Sequence, residues 1–152
     1  MDSVGQAAPV IRPMTPADID SVLALDRKFE KGGSVLSQAD LLSLNPGGPA
    51  DLSFVALAGD RLMGFVLARL QYLMVPFTEV CVIQGILVDP DSRGQGIGGR
   101  LFSTLIANCR SEHVGLVRAL VPQYDEELRR FMQRYGFSPS VIVNFDRKLE
   151  TD

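Results

Sequence analysis

The chain has 152 residues, of which 46% are apolar and 22% charged, and its net charge is −3 at pH 7. This length favours a single domain that buries its own core, and the acidic balance argues against a nucleic-acid-binding face, which requires a basic surplus. No apolar run approaches the ~18 residues of a membrane span, and the N-terminus lacks the basic start and apolar region of a secretory signal, so we expect a cytoplasmic protein without a membrane or nucleic-acid partner.

The N-terminal third predicts one strand and two helices. Residues 1–9 are small and polar, and we expect a flexible N-terminus there, followed by one domain over residues 10–150. Each predicted helix begins with a capping box, in which a hydroxyl side chain and an acidic side chain three residues later bind each other's backbone N–H. The predicted elements are a strand over 10–14, a helix from Thr15 to Phe29, and a short helix that begins at Ser37 and is ended by residues 45–49.

The middle of the chain predicts three strands joined by short turns. Two of the strands are separated by Gly59 and Asp60, a typical two-residue hairpin turn, and residues 74–77 reverse the chain a second time. The predicted strands cover residues 52–58, 62–73 and 78–88. Strands connected this closely form an antiparallel meander.

The remainder of the chain predicts a crossover between parallel strands. A helical pattern of apolar residues follows residue 96, and a strand of the buried type follows over 116–121. A strand, a helix and a strand in about 40 residues make the two strands parallel neighbours. A last helix from Asp125 to Gly136 and a strand over 141–149 complete an α/β domain, with a mixed, mostly antiparallel sheet, a central βαβ crossover and helices on both faces.

Glycines crowd the connection between the meander and the helix of this crossover. Gly94, Gly96, Gly98 and Gly99 lie where the helix begins, and glycine lets a ligand approach the backbone closely. The first N–H groups of a helix and the positive end of its dipole point at one spot there. Arg93 can bind the same anion with its planar guanidinium group. The pattern predicts a phosphate or pyrophosphate ligand.

This part of the sequence resembles the GCN5-related N-acetyltransferase (GNAT) family. The motif Arg93-Gly94-Gln95-Gly96-Ile97-Gly98, preceded by Asp89-Pro90, is similar to the acetyl-CoA loop of that family, whose core pattern is Arg/Gln-x-x-Gly-x-Gly/Ala. Gly136-Phe137 after the last predicted helix is also typical of the family. The resemblance covers nearly the whole chain, because the order of the predicted elements agrees as well.

The resemblance implies an N-acetyltransferase that uses acetyl-CoA as its cosubstrate. A primary amine, on a small molecule or a protein, would attack the thioester directly, so no protein nucleophile is required. Helix two and residues 45–51 would shape the acceptor site. A backbone N–H near Leu87 or Val88 would stabilise the oxyanion. The residues implied in cofactor binding are Ile86, Leu87, Val88, Arg93, Gly94, Gln95, Gly96, Ile97, Gly98 and Gly99.

The sequence departs from the family at the positions that transfer protons. Several members carry a Tyr on the last helix, four residues before the Gly-Phe glycine, and this chain has Met132 there. An Asn that often opens that helix is replaced by Asp125, and the Glu positions that serve as bases correspond to Val82 and Leu120. Matching therefore assigns no catalytic acid or base.

Three residues remain weak candidates for a catalytic role. Glu79 begins the strand that leads to the loop, Gln84 interrupts the apolar pattern of that strand, and Tyr124 precedes the last helix. Each has a structural alternative: an exposed carboxylate, an amide that satisfies neighbouring backbone, and a surface loop residue. Tyr135 is interpreted as core packing, and His113 as a residue that complements a helix C-terminus.

Other functions account for parts of the same pattern. Gly94, Gly96 and Gly99 also match a dinucleotide-binding fingerprint, although an antiparallel meander before the loop is not typical of that fold. A module of the same fold that binds or senses acetyl-CoA without turnover is the more serious alternative. Cys81 and Cys109 are expected to be reduced structural thiols. We predict no metal site, and homodimerisation is left open.

Overall fold

The computed structural model describes residues 8–28, 36–74 and 77–151. The described residues up to Leu120 form one compact unit and those from Val121 onward form a second. The first unit contains β1 (Val10–Pro13), α1 (Ile19–Arg27), α2 (Gln38–Ser43), β2 (Phe54–Ala58), β3 (Arg61–Met74), β4 (Phe77–Val88), α3 (Ile97–Ser111) and β5 (Leu116–Ala119), with short 3-10 turns at Pro16–Asp18 and Pro90–Ser92. The second unit contains α4 (Glu126–Arg134). No helix among the described residues is long and apolar enough to cross a membrane.

The five strands form one mixed sheet in the order β1-β2-β3-β4-β5. The first three pairings are antiparallel, and β4 pairs with β5 in parallel through the α3 crossover. The predicted hairpin at Gly59 and Asp60 is present, because Ala58 pairs with Arg61 across it. The predicted fold class, with its meander and its single crossover, is confirmed.

Helices pack on both faces of the sheet. Phe65 and Leu67 of β3 are buried in a cluster with apolar residues of α1 and α2. Gly64, the neighbour of Phe65, faces Ile97 and Leu101 of α3. Because successive residues of a strand point to opposite faces, α3 lies on the face opposite α1. Most apolar side chains of the predicted α3 face are buried, namely Ile97, Leu101, Phe102, Leu105 and Cys109. Ile106, which the same pattern includes, is half-buried.

The first helices differ slightly from the prediction. A 3-10 turn occupies residues 16–18, so that α1 begins at Ile19 instead of Thr15. The predicted end at Phe29 lies outside the described residues. The capping box of α2 forms as predicted: Asp40 N–H donates to Ser37 Oγ at 3.0 Å, and Ser37 N–H donates to Asp40 Oδ2 at 2.8 Å.

The predicted last strand was wrong for the described residues. Residues 141–149 belong to no strand, and Val141 and Phe145 are 99% and 94% exposed. Alternating apolar residues specify which face of a strand would be buried, but a strand also needs a neighbour to complete its hydrogen bonds. β5 is likewise shorter than the predicted 116–121, and Leu120 is 67% exposed. The prediction of a strand of the buried type was therefore wrong, since Leu116 is exposed and residues 117–119 are half-buried.

Candidate functional site

The C-terminal half of β4 has an unpaired edge. β4 pairs with β5 from Val80 to Ile83, whereas its pairing with β3 continues to Val88. Among the described strands, none pairs with the β5 side of residues 84–88. The edge therefore presents backbone N–H and C=O groups to which an extended ligand can bind, as a peptide does in β-augmentation.

A β-bulge lies where this open edge begins. Leu67 of β3 pairs with Gly85, and the next residue, Ala68, pairs with Ile83. Gln84 is the extra residue of β4, and it is exposed. A bulge bends the strand that carries it and changes the direction of nearby side chains. The bulge therefore places the Gln84 side chain at the point where β4 leaves β5.

The loop after β4 contains two residues that only glycine accommodates well. Gly94 and Gly96 have φ values of +83° and +74°, a region in which a Cβ is disfavoured. Apart from the glycine itself and its chain neighbours, no atom of the described residues lies within 4 Å of the position that a Cβ would take at either residue. The glycines are therefore required by the backbone conformation, and the space in front of them is open.

The N-terminus of α3 adjoins these glycines. The first N–H of the helix with a helical partner is that of Arg100, which donates to the Gly96 carbonyl at 3.0 Å. The preceding N–H groups, on Ile97, Gly98 and Gly99, are the orphan donors of a 15-residue helix. The Ile97 side chain is buried, so that only its backbone can contact a ligand. Donors and helix dipole together favour an anion at this position.

Gly64 allows α3 and β4 to approach each other closely, and the sequence prediction missed it. A Cβ at Gly64 would lie 2.9 Å from the Leu87 carbonyl oxygen and 3.3 Å from Cδ1 of Leu101. Glycine within a strand often marks a close approach of another backbone, so the signal was present in the sequence. The absence of a side chain at Gly64 keeps the open edge of β4 next to the first turns of α3.

The structure does not bring Glu79 to this site. Glu79 lies at the other end of β4, about 30 Å from Val88 at the usual rise of a strand. Its Oε1 accepts a hydrogen bond of 2.8 Å from the Tyr72 hydroxyl on the neighbouring strand. This hydrogen bond raises the pKa of Tyr72, and the negative charge of Glu79 adds to the effect. Glu79 also lines a cavity of about 440 Å³ together with Asn108 and Glu112 near the C-terminus of α3.

The other residues that the sequence analysis singled out lie in the second unit or in the core of the first. In the second unit, Tyr124 is highly exposed and the Asp125 side chain caps α4 by accepting the Leu128 N–H at 3.0 Å. Tyr135 packs on Phe131 with ring centroids 4.8 Å apart, while Met132 is buried. In the first unit, Cys81 and Cys109 are free and buried, which confirms the prediction of structural thiols.

Sequence comparison identifies related proteins. A family model described as Acetyltransferase (GNAT) family matches residues 23–137, about three quarters of the chain. Mycothiol acetyltransferase from Thermobispora bispora is 37% identical over 95 residues, which cover 60% of this chain. The matched segment spans 30% of the length of that relative.

Solved structures show the same fold. The aminoglycoside N-acetyltransferase AAC(6')-Iy in complex with CoA superimposes with a TM-score of 0.79 and 21% identity, over 95% of this chain and 98% of that one. An aminoglycoside acetyltransferase from an uncultured soil metagenomic sample, in complex with sisomicin, superimposes with a TM-score of 0.74 and 19% identity. The match covers 93% of this chain and 97% of that one. Ribosomal-protein-alanine N-acetyltransferase from Brucella melitensis biovar Abortus 2308 has a TM-score of 0.74 and 19% identity. The match covers 93% of this chain and 99% of that one.

Proposed function

The chain belongs to the GNAT family of acetyltransferases, and from this premise we propose that it transfers an acetyl group from acetyl-CoA to a primary amine. One observation carries the proposal: the unpaired edge of β4 is followed, after one short turn, by a loop in which the Cβ positions of Gly94 and Gly96 are open space. An extended amide chain and a pyrophosphate fit these two features in that order along the sequence. Acetyl-CoA contains both groups, and its pyrophosphate is joined to its pantetheine arm.

In the proposed complex, each part of the donor has its own protein partners. The pantetheine arm would lie along Ile86, Leu87 and Val88, whose β5 side is open among the described strands. It would pair with the backbone groups of Ile86 and Val88, because those of Leu87 point to β3. The pyrophosphate would accept hydrogen bonds from backbone N–H groups of residues 93–99, with Arg93 adding positive charge. The Val88 N–H would then stabilise the negative charge that develops on the thioester oxygen. The Leu87 N–H does not suit this role, because it points to Phe65 of β3 in the antiparallel ladder.

The acceptor amine must be neutral when it attacks. The pKa of a lysine side chain is ~10.4 and that of an α-amino group is ~7.8, so that a proton has to leave before or during the reaction. Gln84 is the candidate nearest to the reaction, because it lies three residues before Leu87 and its side chain is exposed at the bulge. An amide cannot take the proton, and we propose that Gln84 orients the amine and that water removes the proton.

An assay of CoA release tests the proposed function together with the role of Gln84. Wild-type protein should release CoA only when acetyl-CoA and an amine are both present, and mass spectrometry should find the acetylated amine. Gln84→Ala should lower kcat/KM for the amine about two- to twelvefold, which corresponds to the net contribution of one neutral hydrogen bond. The KM for acetyl-CoA should stay within about twofold, because the amide does not contact the donor.

The names of related proteins suggest which amines to include in the assay. Sisomicin, a peptide with an N-terminal alanine and a lysine-containing peptide represent acceptor classes of the structural neighbours and of the wider family. Gln71→Ala on β3 is the matched control, because Gln71 pairs with Val80, far from the open edge. Binding of acetyl-CoA without transfer to any amine of a broad panel would instead support the non-catalytic module.

A further inference from the structure

One buried carboxylate stands at the base of the glycine loop. Asp89 follows β4 directly, and only 1% of its surface is exposed. Burial of an ionised carboxylate is costly unless charged partners and hydrogen bonds compensate it. The proposed reaction gives Asp89 no chemical task, so its burial calls for another explanation.

The partners of Asp89 come from three separate parts of the chain. Its Oδ2 lies 3.3 Å from Nζ of Lys28, directly after α1, and 3.3 Å from a guanidinium nitrogen of Arg61, at the start of β3. Its Oδ1 accepts the Asp91 N–H at 3.0 Å, and its own N–H donates to the Met63 carbonyl at 2.8 Å. A single side chain therefore ties the end of α1 and the β2–β3 hairpin to the turn after β4.

The carboxylate is held in its charged form. Burial by itself would raise the pKa of Asp89, but the Asp91 N–H and the two cations together lower it. Arg61 and Lys28 expose about half of their side chains, whereas the carboxylate between them is covered. The cluster of Lys28, Arg61 and Asp89 thus carries a net positive charge.

The turn that Asp89 begins leads directly to the glycine loop. The carbonyl of Asp89 accepts the Ser92 N–H at 2.9 Å, and the Ser92 side chain is buried. Arg93 is the next residue, so that the position of this turn determines where the first donors of the loop lie. We propose that Asp89 is a positioning residue, which, held by Lys28 and Arg61, fixes the glycine loop relative to the open edge of β4.

This inference rests on the proposed acetyl-CoA site. The variant Asp89→Asn tests it, because the inference predicts a rise of the Kd for acetyl-CoA where charge alone predicts a fall. Asparagine keeps the acceptor for the Asp91 N–H and removes the negative charge. If charge alone mattered, removing an anion beside an anion site would strengthen binding of acetyl-CoA. If Asp89 positions the loop, the Kd for acetyl-CoA should instead rise about tenfold, while kcat at saturating acetyl-CoA stays within about twofold.

Asp18→Asn is the matched control. Asp18 is the other buried carboxylate among the described residues, and it pairs with Arg12 at 2.8 Å, away from the loop. Both variants should lower the thermal midpoint, but only Asp89→Asn should raise the Kd for acetyl-CoA in a calorimetric titration. An equal Kd for Asp89→Asn and wild type, or a lower one, would overturn the inference.

Two further variants keep the inference testable if Asp89→Asn does not fold. Lys28→Met and Arg61→Met replace half-exposed side chains, and each should raise the Kd for acetyl-CoA a few-fold by the same factor at low and at high salt. The simple loss of a positive charge would be screened at high salt, so an effect that disappears there would contradict the inference. Where Asp89→Asn does fold, the double variant Asp89→Asn with Arg61→Met should bind acetyl-CoA no more weakly than Asp89→Asn alone, because the two residues act as one unit. Independent, additive effects would contradict the inference. Failure of wild-type protein to bind acetyl-CoA would instead contradict the proposed function.

Discussion

Gly96→Glu is expected to abolish acetyl-CoA binding while the protein remains folded. The φ of +74° at Gly96 costs a residue with a Cβ roughly 1–2 kcal/mol. Beyond the two chain neighbours, nothing in the described part of the chain lies within 4 Å of the new Cβ, so no clash with these residues adds to this cost. The carboxylate, however, would stand at the N-terminus of α3, in the space proposed for the pyrophosphate. Repulsion there, in addition to the altered loop, should raise the Kd at least 100-fold in a calorimetric titration.

Gly59→Glu provides the control for this variant. Gly59 also has a positive φ, +60°, and open space around its Cβ position, but it lies in the β2–β3 turn. Both variants should lose a similar amount of stability in urea unfolding. Gly59→Glu, two residues from Arg61, should raise the Kd for acetyl-CoA no more than the few-fold expected of Arg61→Met, whereas Gly96→Glu should raise it at least 100-fold. If Gly96→Glu binds acetyl-CoA like wild type, the pyrophosphate site has been assigned to the wrong loop.

Gly64→Ala adds only one methyl group, and we expect it to lower the free energy of unfolding substantially. Its Cβ would lie 2.9 Å from the Leu87 carbonyl oxygen, closer than real Cβ atoms approach backbone, so that β4 or α3 has to move. Overpacking of this kind typically costs about 1–3 kcal/mol. Because the displaced backbone belongs to the proposed pantetheine edge, affinity for acetyl-CoA should fall as well, by about tenfold or more.

Urea unfolding and a titration with acetyl-CoA check this prediction. Gly115→Ala is the control, because its Cβ would meet nothing within 4 Å and its φ is not positive. That variant should be close to wild type in both measurements. Unchanged stability of Gly64→Ala would show that α3 and β4 do not pack as closely as described.

Local sequence signals predicted most of the fold. The capping box at Ser37 and Asp40, the turn at Gly59 and Asp60, and the helix after Gly96 each depend on residues close together in the chain. The crossover was predictable because a parallel pair with one helix between its strands has few alternative topologies. The final strand was not, because its apolar alternation says nothing about whether a neighbouring strand completes its hydrogen bonds.

The site was harder to predict because its geometry depends on residues far apart in sequence. The contact between Lys28 and Asp89 spans 61 positions, and no local pattern marks either residue as a partner of the other. Glu79 was a candidate because it lies on the strand that leads to the loop. A strand extends by about 3.3 Å per residue, so Glu79 near its start lies far from the loop after its end. Gln84 was selected because it interrupts an apolar strand, and this is the residue at which the bulge lies, although the sequence did not predict the bulge itself.

The central claim is that residues 93–99 and the open edge of β4 form an acetyl-CoA site. Thermal unfolding of wild-type protein with acetyl-CoA, CoA or NAD tests it most directly. A ligand present at about 100 times its Kd stabilises a protein by about 2.7 kcal/mol, which raises Tm by roughly 5–11 °C for a chain of this size. We expect this shift with acetyl-CoA and with CoA, and none with NAD. Stabilisation by NAD alone would contradict the claim.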